Sequence, residues 1–235
     1  MGRARTRWCV GVVASGALAS GHLVWLAVSA GAGGALPALL GIALGVLAVD
    51  AVGGLVHWAC DTWGDERTPW IGESVIRSFR EHHRHPLAML GSDWIDTNGQ
   101  AALAALPLLA AMAWPPAAGW LAERPLSYGF LLALGGVGAF ANQLHAWAHA
   151  PRAPTWVHAL QRRGVLLSPA RHGRHHRAPH TGDYCISSGW LNRPLDAVGF
   201  WRTLERVVSL ATGAQPRRDD SLTSRRPDPI PVEER

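Results

Sequence analysis

The chain has 235 residues, 48% of them hydrophobic, and a formal net charge of +5 at neutral pH. One compact unit with a buried core is expected at this length. Three scattered cysteines exclude a disulfide-stapled scaffold. The 22 basic residues are all arginines; a strongly basic chain can bind nucleic acid, but the positions of these arginines, considered below, lead us to expect no nucleic-acid partner.

Four apolar segments predict transmembrane helices, since each has the roughly 21 to 23 residues that a hydrocarbon slab of about 30 Å requires. Glycines within them favour close helix packing, and prolines at 107, 115 and 116 predict a kink or shortening in the third. The basic start also makes the first segment similar to a cleaved signal peptide, although its apolar stretch is long for one. The predicted fold is all-α, an integral membrane four-helix bundle with spans at Cys9–Ala30, Leu36–Trp58, Ala101–Leu121 and Leu126–Trp147.

The arginines predict the orientation of these spans. Three precede the first span, four lie between the second and the third, and fourteen follow the fourth, which leaves Arg124 alone on the opposite side. By the positive-inside rule, both termini and the loop between the second and third spans are cytoplasmic. We expect a multi-pass protein of the bacterial inner membrane, with one membrane domain over residues 1–213 and a disordered, proline-rich tail over residues 214–235.

Eleven of the twelve histidines fall on the cytoplasmic side in this topology. The exception, His22, lies alone within the first span, where an imidazole is expected to hydrogen-bond another helix rather than bind metal. The others predict one histidine-rich site that caps the bundle at the cytoplasmic membrane face. They are residues 57, 82, 83, 85, 145, 149, 158, 172, 175, 176 and 180.

The second span ends with Asp50, His57 and Asp61, whose spacing places them within about 40° of one another on a helix. An acid inside a span is costly and indicates function or a specific partner. Asp50 is expected either to orient a ligand histidine or to bond a neighbouring helix. His57 is expected to bind metal, and Asp61 to be a ligand, a hydrogen-bond partner of a ligand, or the cap of the following turn.

Residues 71–85 follow a stripe that predicts an amphipathic helix lying on the membrane surface. Its apolar side continues into His82 and His83, which are expected to face the site, while its arginines face phosphates and solvent. His85 lies about 40° off that stripe and is the weakest candidate ligand in the segment.

His145 and His149 end the fourth span at i, i+4, the spacing that lets two histidines bind one metal or bridge two. Asn142, one turn earlier, is expected to hydrogen-bond a ligand or a metal-bound water. The segment 171–185 is the densest in histidines, although its interleaved arginines also allow a solvated basic loop. Its predicted ligands are His172, His175, His176 and His180.

Nine predicted ligands are too many for one zinc site, which takes three or four protein ligands. Nitrogen ligation without a cysteine pattern suits iron, copper or zinc, and two metals with several imidazoles each fit best. A di-iron centre that activates O2 is the chemistry that such an arrangement serves, with no catalytic residue expected beyond the metal centre. The nine are His57, His82, His83, His145, His149, His172, His175, His176 and His180.

Several motif strings resemble the plasmanylethanolamine desaturase family, which includes bacterial CarF-like proteins and plant phosphatidylglycerol desaturases. They lie in the family order between Ala48 and Glu205: LVHWACDTWGD, SFREHHRHP, DTNGQ, NQLHAWAH, HHRAPHTGDYCISSGWLNRPLD and FWRTLE. Two departures concern ligands, because the family usually has Asp where this chain has His85, and a further His near Ser92 where this chain has none.

The resemblance implies removal of two hydrogens from the first two carbons of the 1-O-alkyl chain of an ether phospholipid. The product is a vinyl ether, as in plasmalogen synthesis. It also implies two iron ions, O2 as co-substrate, and a small electron donor, a cytochrome or ferredoxin, at the cytoplasmic face. The alternatives are an acyl-phospholipid desaturase, acting for example on phosphatidylglycerol, and a membrane metal-binding or sensory protein without turnover.

Overall fold

A computed structural model describes residues 2–217, and every regular element in that range is helical, which confirms the all-α prediction. A π-helical turn, Gly72–Ile76, precedes the third α-helix and a 3-10 turn, Ala88–Gly91, follows it. Of the predicted disordered tail, residues 214–217 have no regular structure, and the remainder lies outside the described residues. The helices are α1 Arg3–Ser29, α2 Gly31–Thr62, α3 Arg77–Arg84, α4 Trp94–Met112, α5 Pro115–Ala122, α6 Pro125–Gly138, α7 Ala141–His149, α8 Thr155–Arg162, α9 Pro169–His175, α10 Asn192–Ala197 and α11 Phe200–Thr212.

Within residues 2–217, two helices are long and apolar enough to cross a membrane, α1 over Ala4–Ser29 and the whole of α2. Between them the chain turns at Gly31, whose φ of 56° is a conformation that glycine adopts without strain. Two bent pairs of helices, α4 with α5 and α6 with α7, are together long and apolar enough as well, so the number rises to four if each pair is one broken span. These apolar helices are those of a membrane protein.

The two bends change the predicted third and fourth spans. α4 and α5 meet at 77°, and the break falls directly before Pro115, which favours the first turn of a new helix. Pro107, by contrast, is accommodated inside α4. α6 and α7 meet at 54° across Ala139 and Phe140, so the continuous helix predicted over residues 126–147 is interrupted. No proline lies at this second break, which is why the sequence did not reveal it.

α2 packs along α6, and α1 packs along α4. Backbones come close at glycines: a Cβ atom at Gly41 would overlap the carbonyl oxygen of Leu126, and one at Gly129 would overlap that of Ala38. Small residues permit this approach, which strengthens helix packing in lipid. The pairing fixes the end of α2 relative to α6, the two elements that lead into the histidine-rich region.

His22 links three helices by hydrogen bonds. Its Nε2–H donates to the carbonyl oxygen of Leu109 at 2.9 Å, and the Tyr128 hydroxyl donates to its Nδ1 at 2.7 Å. The carbonyl can only accept, so this tautomer follows from the geometry. The predicted role of His22 in helix–helix bonding is therefore confirmed.

The predicted amphipathic helix over residues 71–85 is present as the π-helical turn followed without a break by α3. Ile76 and His83 are buried in it, whereas Arg84 and His85 are exposed. These four residues agree with the predicted stripe, but Ile71 is exposed, and Arg80 donates to the Trp63 carbonyl at 3.2 Å instead of facing solvent. The position of the helix on a membrane surface stays a prediction.

Candidate metal centre

The predicted ligands come together where the end of α2, α3, α7 and α9 converge. The bend between α6 and α7 sets the direction of α7, and Ser168 caps α9 by accepting a hydrogen bond from the Arg171 backbone N–H. Two groups of side chains in the described part of the chain could each hold a metal ion. We call them the five-histidine cluster, made of His82, His145, His149, His172 and His176, and the Asp61 cluster, made of His57, Asp61, His83 and His175.

Four Nε2 atoms of the five-histidine cluster face one another. Nε2 of His145 lies 2.9 Å from Nε2 of His172 and 3.3 Å from Nε2 of His149. Nε2 of His176 lies 3.1 Å from Nε2 of His172. Two nitrogens on one metal, with bonds of about 2.1 Å, are separated by roughly 3.0 to 3.4 Å. These imidazoles therefore have the spacing of ligands to a shared ion.

One carboxylate oxygen organises the Asp61 cluster. Oδ2 of Asp61 lies 3.0 Å from Nε2 of His83, 3.4 Å from Nε2 of His57 and 3.5 Å from Nε2 of His175. Three imidazoles and a carboxylate make a donor set that suits iron or zinc. Of the three roles that the sequence allowed for Asp61, the geometry favours that of a ligand.

The two clusters are neighbours because the same helices supply both. His82 and His83 are consecutive on α3 and belong to different clusters, and the same holds for His175 and His176 at the end of α9. The ring centroids of His83 and His176 are 5.0 Å apart. The arrangement is that of a paired site rather than of two separate ones.

The residues present fit bound metal ions. Among the described residues, buried Nε2 atoms of His57 and His82 form no hydrogen bond. A buried polar atom without a partner costs free energy, and a metal ion would use the lone pair of each nitrogen. In the five-histidine cluster, Nε2 of His172 lies close to two other Nε2 atoms, and a single ring proton cannot bridge both.

Backbone carbonyls set two of the ring orientations. Nδ1–H of His57 donates to the Tyr184 carbonyl at 3.1 Å, and Nδ1–H of His175 donates to the Gly182 carbonyl at 2.7 Å. A neutral imidazole protonated at Nδ1 has its lone pair on Nε2. In both rings Nε2 is the atom that faces Asp61, so the carbonyls orient the rings for metal binding.

His180 lies beside the Asp61 cluster rather than within it. Its ring centroid is 4.8 Å from that of His83, and its Nδ1–H donates to the His175 carbonyl at 2.8 Å. That bond leaves the lone pair on Nε2. His180 therefore stays a predicted ligand, although its ring nitrogens are not among the donor atoms that lie close together in the Asp61 cluster.

Burial keeps three imidazoles of the five-histidine cluster neutral. Burial, followed by the neighbouring histidines, lowers the pKa of His82 from its ordinary 6.5 to about 2. The same two causes hold the pKa of His172 and that of His176 well below the usual range. A neutral imidazole is the form that binds metal.

Asp50 has a different role from either of the two expected. Its buried carboxylate accepts hydrogen bonds from the backbone N–H groups of Ser187, Ser188 and Trp190, at 2.9 to 3.0 Å. The partners are neither a ligand imidazole nor a neighbouring helix, but the segment that follows the last histidine. The same segment carries the carbonyls of Gly182 and Tyr184, which accept hydrogen bonds from two of the predicted ligand rings.

Asn142 and His85 lie apart from the donor atoms. The side-chain amide of Asn142 donates to the Thr97 carbonyl at 3.1 Å, a link from α7 to α4 rather than to a ligand. His85 is the exposed residue that caps the C-terminus of α3. Its place outside both clusters agrees with its being the weakest candidate of its segment.

The sequence analysis missed the structural role of residues 182–192. The side chain of Asn192 bonds both the N–H and the carbonyl of Cys185, at 2.8 and 3.0 Å. Arg174 pairs with Asp183 at 2.8 Å. These contacts hold in place the carbonyls that bond His57 and His175. Every residue has a backbone carbonyl, so the sequence could not indicate which carbonyls bond the ligands.

Comparison with known proteins relates this chain to a protein family. The model of a family described as "Lipid desaturase domain" matches residues 46–219, which contain every residue of both clusters. The chain is 41% identical over 190 residues to mouse "Plasmanylethanolamine desaturase 1", covering 77% of this chain and 69% of that protein. It is 41% identical over 184 residues to "Plasmanylethanolamine desaturase" of Myxococcus xanthus, covering 77% and 64%. It is 37% identical over 189 residues to "Fatty acid desaturase 4, chloroplastic" of Arabidopsis thaliana, covering 77% and 54%. No solved structure matches the chain.

Proposed function

The chain belongs to the lipid desaturase domain family, and from that premise we propose that it is an O2-dependent di-iron desaturase of membrane lipids. Its substrate is the 1-O-alkyl chain of a plasmanylethanolamine-type ether phospholipid, and its product is a vinyl ether, the linkage of plasmalogens. The names of the mouse and Myxococcus relatives support this substrate. The chain spans less than two thirds of the Myxococcus protein. That this chain has the activity named for the whole Myxococcus protein is therefore part of the proposal.

The pair of adjacent clusters is the observation that carries the metal part of this proposal. The five-histidine cluster would hold one iron, and the Asp61 cluster together with His180 would hold the other. When bound, the two irons, together with O2 and two electrons, supply the oxidising power that breaking an unactivated C–H bond requires. No amino-acid side chain is a strong enough oxidant.

The chain's own residues hold and orient the ligands. The carbonyls of Gly182 and Tyr184 direct two imidazoles toward Asp61, and Asp50 holds the segment that bears those carbonyls. Burial keeps the imidazoles of His82, His172 and His176 unprotonated. A ligand set fixed in this way pays no reorganisation cost when metal binds.

We propose further that each bent pair of helices is one span, which gives four spans with both termini and the metal centre on the cytoplasmic side of the bacterial inner membrane. The distribution of arginines supports this orientation. Residues 1–213 form the membrane domain and residues 214–235 a disordered tail. The lipid then approaches from the bilayer, and a small cytochrome or ferredoxin delivers electrons from the cytoplasm.

A second candidate is an acyl-phospholipid desaturase with the same ligands and an ester-linked substrate. The 37% identity to an Arabidopsis protein named as a fatty acid desaturase favours it. A metal-binding or sensory protein without turnover is the third hypothesis, since clusters of histidines provide binding and not by themselves catalysis.

Expression in cells that make alkyl ether phospholipids but no plasmalogens separates the three. We expect acid-labile vinyl ethers that require O2, and their loss in His149→Ala and His176→Ala with the protein still in the membrane. His158→Ala is the matched control, because His158 bonds Gln161 and the Ala153 N–H away from both clusters. Unsaturation of ester-linked chains alone would support the second candidate. No product, with zinc and no iron in the purified protein, would support the third.

A further inference from the structure

A cavity of about 880 Å³ adjoins the five-histidine cluster. α3 forms one wall, the first turns of α4 and α7 contribute another, and α1 contributes Trp8. His82 and His145, two members of the cluster, line the cavity. A molecule in this space therefore reaches the edge of the metal centre.

The part of α3 that lines the cavity has a polar flank and an apolar flank. At 100° per residue, His82 and Arg84 project to opposite flanks, with Ser78 and Glu81 between them. Phe79 lies on the His82 flank, and its ring is 5.2 Å from that of His57. The cavity thus extends across α3 from the guanidinium of Arg84 to the candidate metal ligand His82. The width of a helix with its side chains is about 10 Å.

One cation on this wall is left without a counter-charge. Arg77 is neutralised by Glu73 and Glu81, at 2.5 and 2.7 Å. Arg84 is exposed, and within residues 2–217 it forms no hydrogen bond and no ion pair. An unpaired guanidinium at the wall of a cavity is suited to a bidentate pairing with a phosphate.

We propose that this cavity binds the glycerophosphate part of the phospholipid substrate, with the phosphate on Arg84 and the first carbons of the 1-O-alkyl chain beside His82. This inference rests on the proposed function, and it assigns to that function a headgroup site and a residue that selects for phosphate. The carbons to be desaturated are joined to the phosphate by the short glycerol unit, a span comparable to the width of the helix. The apolar flank at Phe79 receives the start of the chain, and the polar flank receives the headgroup.

Binding to the purified, metal-loaded protein in detergent tests the site without turnover. The probes are a 1-O-alkyl phosphatidylethanolamine, the corresponding 1-O-alkylglycerol without phosphate, and inorganic phosphate. We expect Arg84→Ala to weaken binding of the phospholipid about tenfold and to leave binding of the alkylglycerol unchanged. Arg84→Lys keeps the charge but loses the bidentate geometry, so its affinity for the phospholipid should lie between that of the wild type and that of Arg84→Ala. Arg206→Ala, an exposed arginine on α11 outside the cavity, is the matched control and binds like wild type.

Each of the following results would overturn the proposal: unchanged phospholipid affinity in Arg84→Ala, an equal loss for both lipids, or competition by inorganic phosphate at concentrations where the phospholipid binds. The third would make Arg84 a site for free phosphate. The metal content of each variant is measured alongside, because a loss of iron in Arg84→Ala would assign the residue to folding. Phosphate-selective binding that depends on Arg84, in a protein that forms no vinyl ether, would support the headgroup site and count against the proposed activity alone.

Discussion

Oδ2 of Asp61 lies 3.0 Å from Nε2 of His83, although 22 positions separate the two residues along the chain. This contact joins the end of α2 to α3, and Asp61 is the one carboxylate among the donor residues of the two clusters. Its negative charge would balance part of the charge of a metal ion bound beside the three imidazoles of this cluster.

The Asp61→Asn substitution tests this role, because it keeps the shape of the side chain and removes the charge. We expect the purified variant to hold about one iron per chain instead of two and to lose desaturase activity, since the five-histidine cluster is left intact. Elemental analysis measures the iron. Asp65→Asn changes a half-buried aspartate outside both clusters and is the control. A variant with two irons and full activity would remove Asp61 from the ligand set.

Asp50→Asn is expected to act through the segment that follows α9. The new amide group would face backbone N–H donors, and two donors cannot bond, which costs about 1 to 3 kcal/mol. We predict a lower thermal midpoint in detergent and partial loss of iron, because the carbonyls that orient His57 and His175 shift. A lower midpoint with full iron content would show that Asp50 supports the fold and not the ligands.

Acid is expected to release the metals. An imidazole whose pKa is depressed in the folded state contributes stability that is complete above the unfolded value and is lost as the pH falls toward the folded value. For His82 this window runs from 6.5 down to about 2, and protons also compete with metal for Nε2. Iron content and thermal midpoint should be constant above about pH 7 and decline below about 6.5. Full retention of iron after dialysis at about pH 4 would contradict this prediction.

His22→Ala is expected to separate stability from activity. It leaves the Leu109 carbonyl and the Tyr128 hydroxyl without their partner inside the helix bundle, at a cost of about 1 to 2 kcal/mol. The thermal midpoint should fall, while iron content and activity per folded protein stay at the wild-type level. Loss of iron without a change in the midpoint would mean that His22 influences the metal centre.

Reporter fusions test the topology. Fusions at Gly33 and Arg124 should report a non-cytoplasmic position, and fusions at Gly91 and the C-terminus a cytoplasmic one, because the arginines flank the spans on that side. A cytoplasmic signal at Arg124 would mean that the α4–α5 pair does not cross the membrane, and the four-span arrangement would be excluded.

The sequence alone determined the class of the protein and its family. The length of an apolar segment can be read from the residue types, so the apolar helices were predicted, and the third segment was expected to bend because proline restricts the backbone. Angles within one helix follow from 100° per residue, which is why His82 and His83 were predicted to face the site and His22 to bond another helix. The motif strings pointed to the family that the comparison confirms.

Only the tertiary structure decided which histidine meets which. The division into two clusters, the part taken by Asp61, and the attachment of Asp50 to residues 187–190 depend on how helices distant in the chain pack against one another. No proline lies at the bend between α6 and α7, so the sequence did not predict it. The carbonyls of Gly182 and Tyr184 belong to the backbone, which every residue has, and their direction is set by packing rather than by residue type.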